Sequence, residues 1–225
     1  MKSEQDLTVE ARESSTGRKN ESATSLLRQT EYDPASLATT PFTIPGKSTT
    51  LPAMSFVMVD IESDGSIPGD YSMISFGAVL VTPALDKTFY GRLRPISEKW
   101  IPEALAVSGF TRDQVLQFDA PEKVMAEFRD WLKANVESRP MFISDNNGFD
   151  WQFINWYFHH FLGDNPFGFS STNLGSLYKG LARDMFTNFK HLRVTKHTHH
   201  PVDDAKGNAE ALLTMIQQFD LKIKL

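Results

Sequence analysis

The sequence contains no cysteine. Disulfides and thiolate metal sites are therefore excluded, and the composition fits a reducing compartment. There is no apolar run long enough to span a membrane, and the first residues lack the hydrophobic core of a signal peptide. A cytoplasmic location without membrane attachment is expected. An excess of positive charge is also missing: 23 Lys and Arg stand against 28 Asp and Glu, a net charge of -5. That argues against a protein that coats duplex nucleic acid through a broad basic field, and less against one that grips a short strand through bound metal ions. Large apolar side chains and any sustained period are scarce in residues 1–53, which are rich in Ser, Thr, Glu, Arg and Lys. They are expected to form a disordered extension, and the acids within it argue against an organellar transit peptide. Met54 is a candidate for the natural start, and 54–225 is expected to be one globular domain.

What is present begins with Phe56-Val-Met-Val59, an apolar run of strand formers. Asp60 and Glu62 follow it two residues apart, so both side chains leave one side of an extended backbone, before Ser63-Asp-Gly65 ends the strand. Residues 71–81 and 87–93 read as second and third strands of an antiparallel meander. A short helix is expected over 101–107, a capped turn from Thr111, and an amphipathic helix over 120–136 with Val124, Phe128, Trp131 and Leu132 at helical spacing. Residues 140–144 read as a strand reached by a crossover, and 145–148 as a turn before a helix over 149–162 whose aromatics cover almost its whole circumference. Helices are expected over 173–185 and 201–219, with a polar, basic loop over 188–200 between them. The order implies an α/β fold: a mixed β-sheet flanked by helices.

Three clusters carry chemistry: Asp60-Ile-Glu62, Asn146-Asn-Gly-Phe-Asp150, and His199-His-Pro-Val-Asp-Asp204. Each has an ordinary explanation. Acids are favoured at strand-end turns and in the first turn of a helix. His197, His199 and His200 read as loop histidines or as a transition-metal triad, although their spacing matches no common catalytic zinc motif. Paired acids facing one way are costly to bury unless a cation lies between them, and a hard divalent ion takes oxygen ligands.

Taken together, Asp-x-Glu on a first strand, Asn-x-x-Phe-Asp after a later strand, and His-x-x-x-x-Asp-Ala at a last helix resemble the DEDDh exonucleases of the DnaQ-like, ribonuclease H-like superfamily. The resemblance spans residues 55–219, and residues 74–79 and 106–111 also match family segments, with Ser108 where His is often found. It implies a ribonuclease H-like mixed sheet. It also implies a 3'-5' exonuclease that hydrolyses phosphodiester bonds at single-stranded 3' ends and releases nucleoside 5'-monophosphates, with RNA favoured over DNA by analogy with small stand-alone members. Asp60, Glu62, Asp150 and Asp204 would hold two divalent ions, Mg2+ or Mn2+, which generate hydroxide and stabilise the leaving oxygen. His199 would be the general base, as imidazole titrates near neutrality. Ser63, Asn146 and Phe149 would shape the nucleotide pocket, and Lys190, Arg193 and Lys196 would hold the phosphate backbone. Relatives that pair across an interface lead us to expect a homodimer. The alternatives are an inactive module of the same fold that binds nucleic acid or protein, and a zinc hydrolase built on the three histidines.

Overall fold

A computed structural model describes residues 54–223; the expected extension over 1–53 lies outside the described residues. Among the described residues, five strands and six α-helices follow one another as β1 (Ser55–Ser63), β2 (Met73–Leu80), β3 (Thr88–Arg92), α1 (Pro102–Val107), α2 (Arg112–Val115), α3 (Pro121–Asn135), β4 (Pro140–Ser144), α4 (Asn147–Leu162), β5 (Ser171–Asn173), α5 (Leu174–Ala182) and α6 (Pro201–Gln218), with a short 3-10 turn at Lys190–Leu192. They form one sheet of order β3-β2-β1-β4-β5. The first three strands are antiparallel and β4 and β5 run parallel to β1, so the sheet is mixed and flanked by helices, as expected.

The alternation of β1 decides what each face does. Val57, Val59 and Ile61 point into a core shared with Phe76, Phe128 of α3, Phe142, and Phe153 and Phe158 of α4. Phe56 and Met58 point the other way, into a core built with Ile143, Leu174, and Ala205, Ala209, Leu212 and Met215 of α6. Asp60 and Glu62 share the parity of Phe56 and Met58, so they leave the sheet on the α6 side. The small residues of α6 let it lie close to the strands. The closest approach is at Gly77 of β2, where a Cβ would collide with the Val202 amide nitrogen and the Pro201 carbonyl of the α6 N-terminus. Gly77 is paired with Asp60, so the start of α6 is pressed against the strand pair that carries the first acid.

Three expectations need correction. The 145–148 turn does not stand apart from the helix: α4 begins at Asn147, with Asn146 as its N-cap residue. β5 was not expected, because Ser-Thr-Asn has no apolar alternation; the edge of the sheet supplies its pairing. The helix expected over 173–185 stops at Ala182, where Arg183 takes a left-handed backbone at φ 54°.

Candidate active site

The three sequence clusters meet at one end of the sheet. Asp60 and Glu62 come from β1, Asp150 from the first turns of α4 beyond the end of β4, and Asp204 from the first turns of α6. Glu62, Asp150 and Asp204 are all buried. The four carboxyls act on one another electrostatically. Burial raises the Asp60 carboxyl well above the usual carboxylate range, and the charges of Asp150, Asp204 and Glu62 push it further. Glu62 is raised to about 7 by burial and by Asp204. Asp150 is raised to about 8, first by burial, with the charges of Asp145 and Glu62 adding to it; Ser144 and the Ile61 amide hold it back only in part. One of its oxygens, Oδ2, is buried without a hydrogen-bond partner.

Asp204 is bound differently. Its Oδ1 accepts from Arg193 Nη2 at 2.9 Å and from the Thr198 amide at 3.2 Å, and lies 2.8 Å from His197 Nδ1. Its Oδ2 accepts from the His199 amide at 2.9 Å. The His-x-x-x-x-Asp spacing therefore has a direct physical role. The carboxylate on the helix captures the backbone of the histidine five residues earlier, although His199 has a left-handed φ of 60°. The loop is tied down again by Glu210, two turns further along α6, which accepts from the Val194 and Thr195 amides and the Thr195 hydroxyl. So held, His199 is half exposed and its Nδ1 lies 3.9 Å from Glu62 Oε1.

The positions of the remaining candidates differ. Ser63 and Phe149 line a cavity of about 250 Å3 together with Glu62, Gly65, Ser66, Ile101, Ala104 and Val107. The Ser63 hydroxyl is spent on the Gly65 carbonyl at 2.6 Å. Asn146 is exposed at the start of α4 and is not among the lining residues. Lys190 and Lys196 are exposed, but Arg193 is not available for a phosphate backbone: it is mostly buried against Asp204. Reading the sequence missed this pairing. Its only signal was Gly207, one turn after Asp204, where a Cβ would meet the Arg193 side chain. His200 stands apart from the other two histidines, with its ring against Tyr90 at 4.7 Å and its Nδ1 4.0 Å from Asp203. The site therefore gathers His197 and His199, not the triad of the zinc-hydrolase alternative.

No family model matches the chain. Over 182 residues, 76% of this chain, it is 37% identical to the 3'-5' DNA exonuclease Cap18 of Escherichia coli, and the match covers 95% of that protein. Among solved structures it resembles the nuclease domain of 3'hExo, a DEDDh family member, bound to rAMP. The TM-score is 0.60 at 18% identity, covering 78% of this chain and 98% of that one. It also resembles E. coli Exonuclease I in complex with a dA16 oligonucleotide, at a TM-score of 0.58 and 14% identity, covering 74% of this chain and 41% of that one. At these identities the two structures speak for the fold.

Proposed function

Because the chain belongs to the DnaQ-like 3'-5' exonucleases, we propose that Asp60, Glu62, Asp150 and Asp204 hold the divalent ions of that activity and that His199 is its general base. The observation that carries this assignment is the convergence of four carboxylates from three separate elements, three of them held well above the usual carboxylate range by burial and by one another. Such a cluster is costly for the fold, and the buried Asp150 Oδ2, without a hydrogen-bond partner, is an acceptor open to a cation. The residues fit Mg2+ or Mn2+, which take oxygen ligands. When bound, a pair of such ions would activate water and offset charge on the phosphodiester and its leaving 3' oxygen.

The protein's own groups supply the rest. Glu62 stands between the acid cluster and the cavity lined by Ser63, Ile101, Val107 and Phe149. A 3'-terminal base placed against Phe149 would lie in that cavity, with its phosphate toward the acids. His199, half exposed and bonded to Asp204 through its own amide, would take a proton from water beside Glu62 and pass it to solvent. The relative at 37% identity acts on DNA, so we propose single-stranded DNA as the substrate class in place of the RNA expected by analogy, with nucleoside 5'-monophosphates as products.

The test is a gel assay on 5'-labelled single-stranded DNA and RNA with Mg2+ or Mn2+, beside Asp60→Ala and His199→Ala. The expected result is a DNA ladder that shortens from the 3' end and is abolished by either substitution. An unchanged ladder in Asp60→Ala would remove the acid cluster from the mechanism. Faster loss of RNA would reverse the substrate assignment.

A further inference from the structure

We propose that His197 and His199 with Asp204 form a second kind of metal site, one for a borderline transition ion such as Zn2+, and that filling it switches the exonuclease off. His197 has no part in the mechanism above, yet it is turned into the same corner. One nitrogen from each histidine and one oxygen of Asp204 lie within 4.8 Å of one another. The two rings are 4.2 Å apart and inclined at 69°, so they do not stack face to face. Glu62 Oε1, 3.9 Å from His199 Nδ1, is a fourth donor at the edge of the group.

The donor set decides which ion is selected. Magnesium and manganese favour all-oxygen surroundings, whereas two imidazoles with one or two carboxylates suit Zn2+, Co2+, Ni2+ or Cu2+. Tetrahedral zinc, with bonds near 2.1 Å, needs donors about 3.4 Å apart. The donors here spread to 4.8 Å, wider than that, and both histidines are about half exposed on a loop, so the rings have room to close on an ion. The loop is already anchored beneath them by Glu210 and by the bonds from the Thr198 and His199 amides to Asp204, which lowers the entropy lost on binding. The Arg193 guanidinium on Asp204 Oδ1 opposes a cation here, and the surplus of acids at Glu62 and Asp60 offsets it.

The site would share two residues with the exonuclease. An ion held there takes the lone pair of His199, and it draws Asp204 away from the oxygen-ligated pair. Binding of zinc and activity with magnesium would then exclude one another. The binding stands on geometry; the inhibition rests on the roles proposed for His199 and Asp204.

Co2+ distinguishes the two. Metal-free full-length protein titrated with Co2+ should develop the visible bands of a four-coordinate site at one ion per chain, and Zn2+ should bleach them. His197→Gln should weaken Co2+ binding by at least about tenfold, as loss of a metal-ligand contact does. His200→Gln and Asp150→Asn should leave the bands in place. Bands that are missing, or that persist unweakened in His197→Gln, overturn the site. In the exonuclease assay, Zn2+ at fixed Mg2+ should inhibit the native protein. His197→Gln, compared with its own zinc-free rate, should need at least about tenfold more zinc for the same loss. Cobalt bands without zinc inhibition would keep the site and overturn the switch. A protein with cobalt bands but no exonuclease activity under any metal would instead refute the functional reading above.

Discussion

At the scale of the residue, two positions decide whether the site exists. Asp60 lies among three other acids, so its charge is unfavourable until cations arrive. Asp60→Asn should lower the exonuclease rate by about a thousandfold, the order expected for losing several kcal/mol of metal-assisted stabilisation. The same substitution should raise the melting temperature in the presence of a chelator. An inactive variant that is less stable than the native protein in chelator would contradict the electrostatic account. Gly77 is the second. Its missing side chain is what lets the α6 N-terminus sit over the β1–β2 pair. Gly77→Ala should retain the fold by circular dichroism but displace Asp204 and His199, and misplacement on the order of an ångström costs about a hundredfold in rate. Near-native turnover in Gly77→Ala would show that α6 is not positioned there. The convergence of the acids and His199 was legible in the sequence because three short motifs, Asp-x-Glu, Asn-x-x-Phe-Asp and His-x-x-x-x-Asp, are rare in combination and together resemble one family. The role of Gly77 was not, since a glycine within a strand does not name the element it admits.

At the scale of the element, the loop before α6 is organised by the helix that follows it. Asp204 and Glu210 accept many of its bonds, which is why a stretch that reads as a solvated basic loop folds back against the helix. Sequence reading sees the charges of such a loop but not that Arg193 folds inward, because burial of an arginine depends on a partner supplied from elsewhere. A comparable buried pair holds α2. Asp64, fully buried just after β1, accepts from Arg112 at 3.0 Å and from the Ser72 amide at 2.6 Å, while Arg112 also donates to the Ser97 carbonyl at 2.8 Å. Removing Arg112 leaves the acid without its charge partner. Arg112→Ala should cost about 3 kcal/mol in urea unfolding, and the double variant Arg112→Met with Asp64→Leu should recover much of it. An exposed-pair cost of a few tenths would mean that Asp64 finds other partners. The strands and α3 were readable from periodicity to within a residue or two. β5 was not, as a three-residue edge strand is defined by its neighbour and not by its own side chains.

At the scale of the whole molecule, the acid cluster links stability to pH and to metal. In the folded protein Glu62 is raised to about 7 and Asp150 to about 8, above their values in an unfolded chain near 4. The folded state therefore holds protons more tightly than the unfolded state. The contribution of these two groups to stability is fullest below about pH 4 and is lost as pH rises toward 7 to 8. In chelator, the melting temperature should decline across that window. Mg2+ or Mn2+, binding only the folded state, should raise it most at the alkaline end. A metal-induced shift that is largest at pH 5 would contradict this linkage.

The order of the elements along the chain has a consequence during synthesis. β1 and α4 carry three of the acids, but the fourth acid and His197 and His199 come with α6 and the loop before it, after every strand of the sheet. With the roles proposed for Asp204 and His199, a ribosome that has finished the sheet would not yet have made a nuclease. On that assignment the chain would be harmless to nucleic acid until its last helix docks, and an interrupted translation product would carry most of the fold without the capacity to cut.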